Sequence, residues 1–251
     1  ALDGHGRVVG VVGEAGIGKS RLCFEFVENC RRRGARVYEA RVLAHGQATA
    51  FQPILELLRD VFGIRINDPA EASRRRVVEQ FAPIAASEQQ QLLLQEFLGL
   101  ADPENPAPKL DPRALKTELL DIVRVLIRSR SGDMATVVLI EDLHWIDAAS
   151  EEFVDALADA VAGTATLLVV NFRSGFSASF KQRPHYHEMV LSPLSWREAN
   201  QLLREHFGDD PSLALLSRNI IERAQGNPFF LEELVNAIIE RGDVDGERGA
   251  Y

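Results

Sequence analysis

Eight residues, Gly13-Glu14-Ala15-Gly16-Ile17-Gly18-Lys19-Ser20, follow directly on the apolar run Arg-Val-Val-Gly-Val-Val of residues 7–12. Gly-x-x-x-x-Gly-Lys-Ser between a buried strand and a helix is the P-loop pattern. Its physics restricts the fold. Glycines let successive backbone N–H groups turn inward around phosphates, and the N-terminus of the helix that follows adds partial positive charge. Lys19 is placed to reach the β- and γ-phosphates of a nucleotide, and the Ser20 hydroxyl to ligate Mg²⁺. Lysine is scarce in this chain: Lys19, Lys109, Lys116 and Lys181 are the only four, and arginine carries the remaining positive charge. A lysine at the one position where the pattern requires it is therefore informative.

The chain around the loop reads as alternating strands and helices. The continuous apolar run at 7–12 fits a parallel sheet covered on both faces. A helix is expected from Lys19 to Arg33, with Leu22, Phe24 and Val27 on its apolar side and Gly34 as its stop. Further strands are expected at 36–43, 136–140, 166–172 and, shorter, 188–191, with a helix at 148–162. This alternation indicates right-handed β-α-β units. Between 50 and 130 the pattern is mostly helical: a stripe from Ile54 to Phe62, a Ser87/Gln90 capping box before Leu92–Leu98, a loop with four prolines from Asp102 to Pro112, and a helix from Asp111-Pro112 to Arg130. After Pro193 the strands stop. Ser195 and Glu198 form a capping box over 196–207, Asp210-Pro211 opens a second helix closed by Gly226, and Asn227-Pro228 opens a third closed by Gly242. The expected fold class is α/β: a three-layer α/β/α P-loop NTPase with a parallel sheet of about five strands, followed by a small all-helical lid domain. Its parts are a core at 1–193 with a helical insertion at about 50–130, a lid at 194–242, and a tail or the start of a further module at 243–251. There are no internal repeats.

The strand Val137-Val138-Leu139-Ile140 ends in Glu141-Asp142. An apolar strand ending in carboxylates is the second nucleotide motif: one carboxylate holds Mg²⁺, directly or through water, and the other orients or deprotonates the attacking water. In the commonest arrangement the first acid is Asp. Here it is Glu, one methylene longer, so the division of labour between Glu141 and Asp142 stays open, and Ser20, Asp142 and Glu141 form the candidate metal set.

Bulk properties narrow the partners. The 251 residues carry a net charge of −9, against the basic balance usual for direct DNA binding. No apolar run approaches a membrane span. Cys23 and Cys30 lie seven apart on one helix face, without metal-type spacing. With no signal-peptide pattern, they read as reduced thiols of a cytoplasmic protein. His185 and His187 lack further ligand-type neighbours for zinc, and the arginine runs 31–33 and 74–76 read as solvated helix faces.

Three segments in this order, Gly-Glu-Ala-Gly-Ile-Gly-Lys-Ser-Arg-Leu (13–22), Ile-Glu-Asp-Leu-His-Trp-Ile-Asp (140–147) and Gln-Gly-Asn-Pro-Phe-Phe-Leu-Glu-Glu-Leu (225–234), resemble the ATPase module of the signal-transduction ATPases with numerous domains (STAND), relatives of the AAA+ ATPases. The nearest likeness is to modules beside class III adenylate or guanylate cyclase domains and in large LuxR-type transcription regulators. It covers residues 5–242 and is weakest at 50–130. The resemblance implies an ATP/ADP site with Mg²⁺ in which Arg21 belongs to the cofactor-binding loop. Arg173, after the strand 166–172, would be the sensor that contacts the γ-phosphate, and Pro228 would touch the adenine side. His144 and Trp145 are typical of the family and read as a packed pair. Family members carry a Gly-Arg-x-x-Glu segment before the first strand and a winged helix after the lid. If the chain is trimmed, base contacts are missing and nucleotide affinity is expected to be weak.

Two functions are weighed. One is a slow ATPase acting as a conformational switch for an attached cyclase or DNA-binding domain, with assembly of protomers as a further partner interaction. The other is a nucleotide-binding interaction module without significant hydrolysis. A small-molecule kinase is disfavoured by the lid and the acidic pair, and GTP by the lack of an Asn-Lys-x-Asp motif.

Overall fold

The computed structural model describes residues 5–44, 50–84, 87–129, 134–208, 210–242 and 244. In chain order the elements are β1 (Arg7–Val12), α1 (Lys19–Arg32), β2 (Arg36–Arg41), α2 (Gln52–Val61), α3 (Ala70–Phe81), α4 (Glu88–Phe97), α5 (Pro112–Ser129), β3 (Thr136–Glu141), α6 (Ala148–Val161), β4 (Thr166–Phe172), β5 (Tyr186–Val190), α7 (Trp196–Phe207), α8 (Ala214–Ala224) and α9 (Pro228–Arg241). They form two compact units. One comprises Ala1–Val11 with Cys23–Met189, the other Val12–Leu22 with Val190–Tyr251. Arg130 and the tail at 243–251, residue 244 apart, lie outside the described residues.

The first unit is built on a five-stranded sheet in the order β2-β3-β4-β1-β5. β2 pairs with β3 in parallel from Arg36↔Thr136 to Arg41↔Glu141, and β3 with β4 from Thr136↔Thr166 to Ile140↔Val170. The central strands are buried at nearly every position. This is the signature of a sheet with helices on both faces, and it explains why their sequences run apolar without alternation. α2 packs on β2, and α6 on β4, α2 and α5. Phe153, Val154, Leu157, Ala158 and Val161 of α6 are almost entirely buried. The α/β P-loop NTPase class is thus the observed one. Because β3 and β4 are parallel neighbours, their carboxyl ends lie side by side, which brings Glu141-Asp142 next to the end of β4.

Two local expectations need correction. On α1 the buried residues are Cys23 and Val27 (2% and 0% exposed), while Leu22 and Phe24 stand 40% and 53% exposed. The core stripe is the i, i+4 pair starting at Cys23, and the hydrophobicity of Leu22 and Phe24 does not decide which face turns inward. At Asp210-Pro211 the helix does not begin directly. A 3₁₀ turn, Pro211–Leu213, is capped by the Asp210 carboxylate accepting from the Ser212 N–H at 2.8 Å, and continues into α8. α3, which no clear periodicity announces, buries Ser73, Val77 and Phe81. Its arginines do more than face solvent: Arg74 donates to the Ala101 carbonyl, and Arg76 pairs with Asp68 at 2.8 Å.

The second unit packs α7, α8 and α9 around Ala199, Leu203, Phe207, Ile220, Ile221, Ala224, Leu231 and Val235. The starts of α7 and α9 are those the sequence indicates. Ser195 and Glu198 make both bonds of the capping box, and the Asn227 side chain accepts from the N–H groups of Phe229 and Phe230 at the head of α9. The segment 12–22 belongs to this unit, and Leu191 N–H donates to the Val12 carbonyl at 2.7 Å.

Candidate functional site

The glycine-rich loop spans Gly13 to Gly18 and runs into α1, whose first bond joins Leu22 N–H to the Gly18 carbonyl at 2.9 Å. Glu14, Ala15 and Gly16 are exposed and Ile17 is buried. Lys19 is only 8% exposed. Its ammonium curls back to donate to the Gly13 and Glu14 carbonyls, both at 2.8 Å. Ser20 and Arg21 stand exposed on the first turn of α1, which contains no acidic residue. Gly18 has φ +95°, and a Cβ placed there would meet nothing within 4 Å. A buried ammonium, an exposed hydroxyl, and N–H groups at a helix start without carboxylates form a donor set suited to a phosphate and its Mg²⁺.

At its apex the loop is bound by the start of α9. The Asn227 Nδ2 donates to the Ala15 carbonyl at 2.9 Å, and Phe229 N–H to the Gly16 carbonyl at 3.2 Å. Pro228 is half-buried at the first position of α9.

In the first unit, Glu141 closes β3 and Asp142 follows in the left-handed region, φ 58° and ψ 37°. Both are organised by Asn171 of β4, which is fully buried. Its Nδ2 donates to Glu141 Oε2 at 3.0 Å and its Oδ1 accepts from the Asp142 N–H at 2.7 Å. The same Nδ2 lies 3.7 Å from Cys23 Sγ. The Asp142 carboxylate takes two bonds from Arg41, from Nε at 3.2 Å and Nη2 at 3.1 Å. Arg173, one residue beyond β4, is exposed, with its guanidinium 5.6 Å from the centre of the Trp145 ring. The His144 and Trp145 rings lie 5.0 Å apart.

The structure therefore gathers Glu141, Asp142, Arg173 and Trp145 around the ends of β3 and β4, and Gly13–Ser20 with Asn227-Pro228 around the head of α9. Two participants escape a reading of motifs, Asn171 and Arg41, and Asn227 stands in a motif that does not announce its bond to Ala15. Asn171 did leave a signal, as the one amide in the otherwise apolar run Leu-Leu-Val-Val-Asn-Phe, where a buried polar group demands a partner. Arg41 left none beyond its place at the end of β2.

Among known proteins, the AAA ATPase domain family matches residues 1–170. An uncharacterised protein of Rhizobium meliloti (strain 1021) is 26% identical over 269 residues, covering 98% of this chain. The chain spans 24% of that relative's length. Of solved structures, a STAND protein with a tetratricopeptide repeat sensor from Pyrococcus horikoshii aligns with a TM-score of 0.47 at 13% identity, over 98% of this chain and 31% of that one. The Drosophila ORC bound to DNA aligns with a TM-score of 0.44 at 15% identity, over 93% of this chain and 51% of that one. With two thirds of its length matched to the family, and a P-loop and an acidic strand end within that span, the chain belongs to the AAA ATPase domain family.

Proposed function

We propose that this chain is an ATP-binding, slowly ATP-hydrolysing switch module of the STAND class, which acts on an attached cyclase or DNA-binding domain. In this reading residues 1–193 are the nucleotide-binding core, with the helical insertion at about 50–130, and 194–242 the lid. The observation that carries it is the grouping of Val12–Leu22 with the helices of 190–251 in one compact unit. A loop that holds phosphate and is hydrogen-bonded to a helical segment gives that segment a differential interaction with the nucleotide, which is what a population shift requires.

The residues take the following roles. Backbone N–H groups of Gly13–Gly18 and the Lys19 ammonium hold the phosphates, with Arg21 beside them. Ser20 and Asp142, with Glu141 through water, would hold Mg²⁺, which would neutralise charge on the phosphate oxygens. Glu141, kept in place by Asn171, accepts the proton of the attacking water. The water oxygen bonds to the γ-phosphorus as the bridge to the β-phosphate breaks and its electron pair leaves with ADP. Arg173 reads the γ-phosphate and Pro228 flanks the adenine.

One observation favours the second reading, nucleotide binding without significant hydrolysis. Both carboxylates already have partners, Asp142 in Arg41 and Glu141 in Asn171. Calorimetric titration of ATP and ADP with Mg²⁺, with phosphate release followed in parallel, separates the two. Binding with slow release supports the switch. Binding without release supports the second reading. Absence of binding removes both.

A further inference from the structure

Four consecutive carbonyls of the phosphate loop are all engaged, and by two different agents. Lys19 takes those of Gly13 and Glu14. The head of α9 takes those of Ala15 and Gly16, through the Asn227 amide and the Phe229 N–H. A carbonyl oxygen facing a bound phosphate repels it, whereas an N–H attracts it. A P-loop therefore works only with its acceptors turned outward and its donors inward. Lysine holds the first two carbonyls, and a helix more than 200 residues away in sequence holds the next two.

We propose that Asn227 is a positioning residue for the phosphates of ATP and ADP: it holds the Ala15 carbonyl outward and so fixes the apex of the loop in its anion-binding form. The proposal rests on the phosphate-loop reading and deepens it. Asn227 meets two demands with one side chain. Its Oδ1 accepts from the Phe229 and Phe230 N–H groups at 3.1 and 3.4 Å, which caps α9, while its Nδ2 donates to Ala15 at 2.9 Å. An amide supplies an acceptor and a donor together. Aspartate and serine cap helices as well, but aspartate has no donor and serine is shorter by an atom.

Gly16 fits the same account. It is not one of the two glycines that the P-loop pattern requires. It has φ +77°, and a Cβ there would lie 2.7 Å from Asn227 Oδ1 and 2.9 Å from the Phe229 Cβ. The head of α9 comes so close to the loop that only glycine leaves room for it. The fourth loop position thus answers to α9 as well as to phosphate.

The test uses Asn227→Ser and Asn227→Asp in this chain, read by calorimetry with ATP and ADP in Mg²⁺, by thermal melting without nucleotide, and by hydrogen exchange of α9 with and without ATP. Both variants keep the cap, so melting stays near wild type. Affinity for both nucleotides falls roughly tenfold in Asn227→Ser, the scale of one well-placed hydrogen bond, and further in Asn227→Asp. Protection of α9 by ATP, present in wild type, is lost. If wild type binds and Asn227→Ser binds equally, with α9 still protected, the proposal is overturned alone. If affinity falls only in step with melting temperature, Asn227 is a cap and nothing more, and the proposal again fails. If wild type binds neither nucleotide, the phosphate-loop reading falls and takes this one with it.

Discussion

The two clusters of candidate residues, each within its own compact unit, are held by different means. The acidic pair at the end of β3 is fixed from within the sheet by Asn171, a fully buried side chain on the neighbouring strand. The glycine-rich loop is fixed by its own lysine and by the head of α9, where Asn227 is only partly buried and Phe229 is exposed. A buried amide between strands moves only if the sheet does. A partly exposed bond to a helix terminus opens at small cost. Under the proposed function, the acidic pair is the rigid half and the loop the adjustable one.

The substitution with the largest expected effect is Lys19→Ala, which removes the ammonium from the loop. ATP affinity measured by calorimetry is expected to fall about 10²–10³-fold, as two charge-assisted phosphate contacts disappear. Unchanged affinity would place the phosphates elsewhere and dissolve the comparison. Next is Phe207→Ala in the core of α7–α9, expected to cost about 3–5 kcal/mol in denaturant unfolding. Hydrogen exchange should quicken in α7–α9 and leave β3 and β4 as they were. A uniform rise would mean that the halves do not differ in how they are held.

Asn171→Leu tests the rigid half. The variant leaves the Asp142 N–H unpaired and Glu141 without its donor, a loss of about 1–3 kcal/mol of stability. Phosphate release should drop while ATP affinity stays within about twofold, a span worth under half a kcal/mol. A matched fall in both would show that Asn171 serves the fold alone. Arg173→Ala is expected to weaken ATP about tenfold relative to ADP, the worth of one charge-assisted contact of about 1.5 kcal/mol. Equal weakening of both nucleotides would end the sensor assignment. The smallest effect belongs to Arg41→Gln. Arg41 is exposed and its ion pair contributes under about 1 kcal/mol. Its removal frees the Asp142 carboxylate, so the Mg²⁺ needed for half-maximal phosphate release should fall about two- to threefold. No change in the Mg²⁺ requirement would mean that Asp142 does not meet the metal.

Strands and helix starts were legible in the sequence because their causes are local. The runs at 136–140 and 166–172 are apolar at nearly every position that the covered sheet buries, Thr136, Thr166 and Asn171 excepted, and Ser87, Ser195 and Asn227 cap helices within three residues of themselves. The α1 face was misread because Leu22, Cys23 and Phe24 are all apolar, and only the packing partner, Asn171 beside Cys23, decides which one turns inward. The bounds and buried face of α3 were not legible because its three arginines interrupt the apolar stripe. The loop and the acidic strand end were legible as motifs, but what holds each in place was not. Asn227 meets Ala15 from 212 residues away and Arg41 meets Asp142 from 101, and no spacing rule reaches that far.

The left-handed backbone at Asp142 bears on why the acids stand in the order Glu-Asp. Aspartate and asparagine enter that region more readily than other non-glycine residues, whereas a longer side chain there costs about 1–2 kcal/mol. Exchanging the letters to Asp-Glu would keep the charge and composition of the site yet put the strained conformation under the residue that bears it worse. Across homologues, position 142 should therefore accept Asp, Asn or Gly more freely than Glu, while 141, in regular strand, should vary between the two acids. The spelling of the acidic pair would then record a dihedral angle as much as a chemical role.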